Sequence, residues 1–429
     1  MLFFIVETYD QLNLLLGKNY KKVFVEPIYF NDNVHPALND VSLLYLKPLN
    51  NDKGYILCIN HTEALSINKI DITDFLLSFE EIYVRDRKSF IYDFPIKNTI
   101  DISFGSPKID EPELNVYNFF YQKFDNLSNI NTIIPLVKHY EKCELIFEKI
   151  KPYCLKLDNS KFHIKLSSIF FAIEKNGIKI DKTIFNQYFT PQNELYSIFD
   201  NKIYSKYNLH TTTGRPSNSF NGINFAALVK DNGCREAFIP ENDYLIEIDI
   251  NSYHPVLASQ LIGYDFNDET PYSYFAKEAN ISTEEAKILM FKQLYGGIYK
   301  EYQHIEFFKL IQQYINKLWE EFNTNGYISC SISGHKFDKN LKDINPTKLF
   351  NYYLQNLETS TNTLILWDII KLLSKKQSKI VLYTYDSILI DYSEEDQILP
   401  KINSVFTKYK LNTKITMGNN YNNMLPYTI

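Results

Sequence analysis

Over residues 1–158 the apolar positions alternate between short continuous runs and helical spacing. The runs at 2–6, 23–30, 41–46 and 55–59 read as strands, and the stretches around 70–79 and 133–150 as helices, a mixture that predicts an α/β layer domain. A helix over 161–176 follows, closed by Gly177, a residue suited to a left-handed C-terminal cap. Later, Ile246-Glu247-Ile248-Asp249-Ile250 forms a strand-like run that puts Asp249 at its end. Ser282 and Glu285 make an S-x-x-E capping box that starts a helix there. Pro346 fits the first position of a long helix. Two runs at 379–384 and 387–391 read as a hairpin whose tip holds Tyr385 and Asp386. The chain shows no internal repeat and no low-complexity linker.

Composition narrows the class. At 429 residues, 45% apolar and 22% charged, the chain is long enough for two or three domains with full cores. A net charge of -6 argues against a generally basic surface, so attraction to phosphates must come from a local cleft. Arginine is scarce: only Arg85, Arg87, Arg215 and Arg235 occur. The five cysteines Cys58, Cys143, Cys154, Cys234 and Cys330 have no C-x-x-C spacing, which indicates neither a zinc site nor a disulfide framework and fits a reducing cytosol. The opening Met1-Leu2-Phe3-Phe4-Ile5-Val6 meets Glu7 at once and lacks a basic flank, so it reads as a first strand rather than a signal peptide. No apolar run reaches membrane-spanning length. The expectation is a soluble, cytoplasmic protein, in the host cytoplasm if viral.

The chemistry centres on Asp249 and Asp386. An aspartate closing a strand is most often a turn former that bonds its own backbone. Two of them on neighbouring strands, however, can hold a pair of magnesium ions about 4 Å apart, the arrangement that drives in-line phosphoryl displacement. Between them, Lys287, Phe291 and Tyr295 are spaced i, i+4, i+8 and share one helical face. A lysine near a helix N-terminus suits a triphosphate, and an aromatic residue one turn on can stack on a base or sugar. Without other information such a stripe is a core face with a snorkelling lysine.

The surrounding order of segments resembles family A DNA polymerases. The residues that carry the likeness are Thr211-Thr212-Thr213-Gly214-Arg215, then Gly222-Ile223-Asn224-Phe225, Arg235-Glu236-Ala237-Phe238 and Asp249. The helix Ala286-Lys287 to Tyr295-Gly296, the N-x3-Q pair Asn351 and Gln355, and Tyr385-Asp386-Ser387 follow in the family's order. The likeness covers roughly residues 165–392, more than half the chain.

That resemblance implies an architecture and a set of roles. An exonuclease-like α/β domain (1–158) would be followed by a connecting helix and thumb (159–210). A right-hand palm built on an antiparallel sheet (211–429) would carry helical fingers at about 269–327. Asp249, Asp386 and the carbonyl of Ile250 would hold two Mg2+ ions, with Mn2+ as the alternative, and Lys287 could act as general acid to pyrophosphate. Arg235, Lys287, Phe291 and Tyr295 would bind the incoming dNTP, with Tyr253 or His254 excluding a 2′-hydroxyl. Arg215, Asn351, Gln355 and Tyr385 would contact primer-template DNA, where minor-groove acceptors let a side chain test pair geometry without reading sequence. The implied activity is addition of deoxynucleotides to a primer 3′ end in phage-type replication, with a processivity or replisome partner and no membrane.

Departures from the family pattern qualify this. Thr283 stands where the family has an arginine, Tyr272 where it often has a histidine, His254 where it has the sugar-excluding glutamate, and Ser387 where it has a second carboxylate. In the N-terminal domain, Val25-Glu26-Pro27-Ile28 replaces an Asp-x-Glu motif, and Tyr140-Glu141-Lys142-Cys143-Glu144 a tyrosine–aspartate pair, so proofreading is not expected. Only about thirty residues separate Asp181 from His210, which predicts a reduced thumb. The rival readings are a primase-like or lesion-bypass nucleotidyltransferase with relaxed sugar choice, and a catalytically weak DNA-binding subunit that keeps the fold.

Overall fold

The computed structural model describes residues 3–32, 34–105, 123, 129–154, 160–189, 198–218 and 223–429. The chain divides into two compact units, Met1–Phe171 and Ala172–Ile429. The domain boundary expected at 158/159 falls at 155–159, outside the described residues, as do Gly222 and residues 190–197 of the expected thumb.

The first unit is built on six strands: β1 (Phe4–Val6), β2 (Lys22–Tyr29), β3 (Val41–Pro48), β4 (Tyr55–Cys58), β5 (Glu81–Val84) and β6 (Thr99–Asp101), in the order β1-β4-β3-β2-β5-β6. The β4-β3-β2 segment is antiparallel, and β1, β5 and β6 add to it in parallel. Side chains alternate faces along a strand. Val23, Val25, Leu44 and Leu46 therefore join one core with residues of α1 (Tyr9–Leu16), α2 (Lys69–Leu76) and α3 (Arg87–Asp93). Phe24, Leu43 and Tyr45 join a second core with α4 (Leu136–Ile150). Because both faces are covered, every residue of β3 is buried, which explains its near-continuous apolar run.

Two largely buried carboxylates of this unit are paired. Glu26 forms an ion pair with Arg85. Glu144 accepts from Lys47 Nζ at 2.9 Å and from the Tyr45 hydroxyl at 2.7 Å. The helix α5 (Ser160–Asn176) runs across the division between the units, and Gly177 after it has φ 61°, the left-handed geometry expected at that cap.

The second unit begins with β7 (Ile178–Ile180), α6 (Lys182–Phe189), β8 (Ile198–Phe199), β9 (Lys202–Ile203) and β10 (Phe238–Ile239), whose strands make a small sheet. Its main sheet is antiparallel and contains β11 (Tyr244–Ile250), β14 (Lys379–Tyr383), β15 (Ser387–Tyr392), β16 (Thr413–Gly418) and β17 (Leu425–Pro426), in the order β14-β15-β11-β16-β17. Between β11 and β14 the chain forms α7 (Tyr253–Ile262), α8 (Pro271–Ala279), α9 (Thr283–Gly296), α10 (Glu306–Asn325), the hairpin β12 (Tyr327–Ser329) and β13 (Lys336–Asp338), and the 28-residue α11 (Pro346–Leu373). The short α12 (Leu399–Lys408) precedes β16. Both halves of the Ser282/Glu285 capping box are present at α9. Asn345 caps α11 with Pro346 at its first turn. Among the described residues no helix is long and apolar enough to cross a membrane.

The centre of α11 does what sequence pattern does not suggest. The polar residues Asn356, Glu358, Thr359, Ser360, Thr361, Asn362 and Thr363 are all buried. Buried polar groups require hydrogen-bond partners. Thr359, Ser360 and Thr363 donate to carbonyls one turn back in α11, whereas Glu358 bonds Arg215 and His254, and Asn362 bonds Tyr253, Tyr383 and Tyr385.

Candidate active site

Strand β11 lies between β15 and β16, so whatever its last residues carry is flanked on both sides. Asp249 stands opposite Ser387 on β15 and Lys414 on β16. The Ile250 N–H donates to the Asp386 carbonyl at 2.9 Å, which puts the two aspartates on adjacent chain segments within one residue of register. Asp386 sits in the loop of the β14–β15 hairpin, closed by the Thr384 N–H donating to the Ser387 carbonyl at 2.9 Å.

Two strained residues bracket the pair. Tyr385 has φ 70° and Ser252, just before α7, has φ 50°. A left-handed conformation costs a non-glycine residue about 1–2 kcal/mol, so surrounding contacts must hold it. The Tyr385 carbonyl accepts from Asn362 Nδ2 at 2.8 Å, and its ring lies 3.8 Å from the Arg215 guanidinium.

Both carboxyl groups of the pair are held above their ordinary range, in each case chiefly by burial. Burial first, then the charges of Asp386 and Glu247, pushes the Asp249 carboxyl up to about 6, against the pull of Lys230 and Lys287. Asp386 is raised as well, by burial and then by Glu358. A nearby cation would relieve both, and a set of hard oxygen donors suits Mg2+ or Mn2+. Among the described residues no group of three or more His, Cys, Asp or Glu side chains could hold a metal. Ser387 donates to Glu247 Oε1 at 3.3 Å.

A cleft of about 1410 Å³ opens over the aspartates, and Asp249, Ile250 and Asp386 line it together with Tyr253, His254, Lys287, Phe291 and Tyr295. The i, i+4, i+8 face of α9 thus points into the cleft, while Ala286, Met290 and Leu294 on the adjacent face are buried. Tyr272 of α8 also lines it, with its ring centroid 6.3 Å from that of Phe291.

Arg215 reaches the cleft from a tight turn. The Gly214 N–H donates to the Thr211 carbonyl at 2.9 Å, and Asn356 Nδ2 donates to the Thr213 carbonyl at 2.8 Å. Gly214 has φ 69°, and a Cβ there would come within 2.7 Å of Asn356 Nδ2, so both conformation and space require glycine.

Arg215 then meets Glu358, which is fully buried. Its Nη2 donates to Glu358 Oε1 at 3.0 Å, and the other carboxylate oxygen lies 2.9 Å from His254 Nε2. Burial alone would raise the Glu358 carboxyl, but His254 and Arg215 outweigh it and hold it below its ordinary range. His254 Nδ1 in turn bonds the Tyr295 hydroxyl. The neighbouring Tyr253 is directed elsewhere: its hydroxyl donates to Asn362 Oδ1 at 2.7 Å.

The fold is that of a polymerase domain. The chain is similar to the POL domain of Pol1 from M. smegmatis, solved in complex with DNA primer-template and dNTP, with a TM-score of 0.64 and 13% sequence identity over 98% of this chain and 100% of that one. No family model matches the sequence. No curated protein matches it either.

Several residues singled out from sequence do not line the cleft. Arg235 is buried, donates to the Leu228 carbonyl at 2.8 Å through Nη2 and stacks on Tyr421 at 4.7 Å. Asn351 and Gln355 bond each other, Gln355 Nε2 to Asn351 Oδ1 at 2.8 Å, on the α11 turns that precede Glu358. The Tyr385 ring lies against the Arg215 guanidinium. Conversely, sequence reading passed over Glu358, Asn362, Asn356 and Lys230. The usable signal was the polar run 355–363 within a helix: so many hydrogen-bonding side chains in succession leave no wholly apolar face to bury.

Proposed function

We propose that the chain is a template-directed DNA polymerase of the family A type, adding deoxynucleotides to a primer 3′ end. The observation that carries this reading is the pair Asp249 and Asp386, with raised carboxyl groups, under a cleft lined by the Lys287–Phe291–Tyr295 face on a polymerase fold. The cleft would accept primer-template DNA and a dNTP, the ligands of the structural counterpart.

Asp249, Asp386 and the Ile250 carbonyl would hold Mg2+. When bound, magnesium supplies charge neutralisation at the reacting phosphate and lowers the pKa of the primer hydroxyl. The residues of the chain divide the remaining work. Lys287 gives positive charge beside Asp249 for the triphosphate, and Lys230 adds to it. Phe291 and Tyr272 offer ring faces to the nucleotide. His254, bonded to Tyr295, presents bulk on the sugar side, and of the two gate candidates it is favoured because the Tyr253 hydroxyl is committed to Asn362. Arg215, held by Glu358 and stacked on Tyr385, is the candidate for the primer terminus.

Primer extension on a defined template tests the assignment. The wild-type chain with Mg2+ should incorporate the dNTP complementary to each template base. A chain that binds primer-template but incorporates nothing would instead be a non-catalytic DNA-binding subunit.

A further inference from the structure

Glu358 is a fully buried carboxylate that touches both sides of the cleft. One oxygen accepts from Arg215 and the other faces His254 Nε2, while His254 Nδ1 meets the hydroxyl of Tyr295 on α9. An ionised carboxylate has only acceptors. Nε2 must therefore carry the hydrogen, and in the ring form with one hydrogen Nδ1 is left with a lone pair. Tyr295, whose proton is held tightly because burial and then the Glu358 charge raise its pKa, must then be the donor. With one hydrogen on the ring, the direction of every hydrogen bond along Arg215–Glu358–His254–Tyr295 follows from the charge on Glu358.

We propose that Glu358 is a positioning residue for nucleotide selection, fixing the His254 tautomer so that the Tyr295 hydroxyl hydrogen is committed to His254 and not offered to the sugar. It acts through His254 and Tyr295 and touches no substrate itself. The proposal rests on the polymerase reading of the cleft. The same carboxylate anchors Arg215, so the candidate primer contact and the candidate sugar gate share one buried charge.

A near-isosteric change inverts the line. In Glu358→Gln the donor-only Arg215 takes the amide oxygen, which leaves the amide NH2 facing His254. Nε2 must then accept, the ring proton moves to Nδ1, and the Tyr295 oxygen becomes an acceptor with its own hydrogen freed towards the cleft. Adding His254→Glu restores the original sense: the new carboxylate accepts from both the introduced amide and the Tyr295 hydroxyl.

The test is the ratio of kcat/KM for a dNTP to that for the matching ribonucleotide, measured in wild type, Glu358→Gln and His254→Glu/Glu358→Gln. This ratio does not depend on the fraction of folded enzyme, so a merely structural loss leaves it unchanged. Glu358→Gln is expected to lower it about tenfold and the double variant to recover most of the loss. A wild-type ratio in Glu358→Gln, or a double variant no better than the single, overturns the proposal while leaving the polymerase reading intact. A wild-type chain that extends no primer overturns that reading and this proposal with it.

Discussion

Asp249 holds its proton more tightly in the folded chain than in the unfolded one, since its folded value is about 6 against an ordinary aspartate near 4. A raised carboxyl favours the fold at low pH, and that contribution is lost as pH rises from about 4 towards 6. In metal-free buffer at pH 8, Asp249→Asn should therefore be more stable than wild type, by about 1 kcal/mol after allowance for solvent screening, or roughly 2–4 °C in thermal unfolding. At pH 4 the difference should vanish, because wild-type Asp249 is then protonated. Excess Mg2+ at pH 8 should stabilise wild type and not the variant. Equal melting temperatures at both pH values would show that burial and the neighbouring charges do not raise the Asp249 carboxyl. Extension by wild type should likewise rise through pH 6 as Asp249 becomes free to bind metal.

Gly214 makes a second prediction at this scale. Gly214→Ala meets both a left-handed φ and a 2.7 Å approach to Asn356, so a loss of more than about 1 kcal/mol is expected, with weaker primer binding as Arg215 shifts. Chemical denaturation and primer titration check the two effects separately.

At the scale of elements, the β14–β15 hairpin and α11 depend on each other. Asn362 bonds the Tyr385 carbonyl at 2.8 Å, the Tyr383 hydroxyl at 2.9 Å and the Tyr253 hydroxyl at 2.7 Å. Asn362→Leu removes these three bonds, and although the Tyr253 hydroxyl keeps the Glu358 carbonyl at 3.4 Å, the loss of several net hydrogen bonds at about 0.5–1.5 kcal/mol each predicts a destabilisation of roughly 2–4 kcal/mol. Urea unfolding measures it, and a loss under about 1 kcal/mol would mean that the hairpin tip is held in some other way.

Which elements were legible follows from how far apart their causes lie. The capping box at Ser282, Pro346 at the start of α11 and the aspartate-tipped hairpin are each written within a short stretch of chain, and local pattern reads them directly. Glu358 meets Arg215 and His254 across 143 and 104 residues, a separation that periodicity cannot bridge. Arg235 shows the same limit in reverse. Its sequence context points to a nucleotide, yet the side chain turns to the Leu228 carbonyl and the Tyr421 ring, and nothing local encodes that direction.

For the molecule as a whole, the distribution of charge sets expectations about how DNA would be held. With a net charge of -6 there is little general attraction for a polyanion, so binding must come from a few contacts and depend on few released counterions. The chain alone is expected to extend distributively, and under a heparin trap its products should stop after a few additions. Products of hundreds of nucleotides from one encounter would show that some other element grips the duplex. In the first unit, Glu26 is paired with Arg85, and Glu144 with Lys47 and Tyr45, so carboxylates near the expected nuclease positions are already engaged. No metal-dependent shortening of a mismatched primer should survive Asp249→Asn.

The central claim is that Asp249 and Asp386 are the metal-binding carboxylates of a polymerase. Primer extension by purified wild type, Asp249→Asn and Asp386→Asn, each shown by thermal unfolding to be folded, tests it most directly. Wild type should extend a template-directed primer with Mg2+, and each variant should fall by at least about a hundredfold, in line with losing transition-state charge stabilisation. Near-normal turnover in either folded variant would contradict the account.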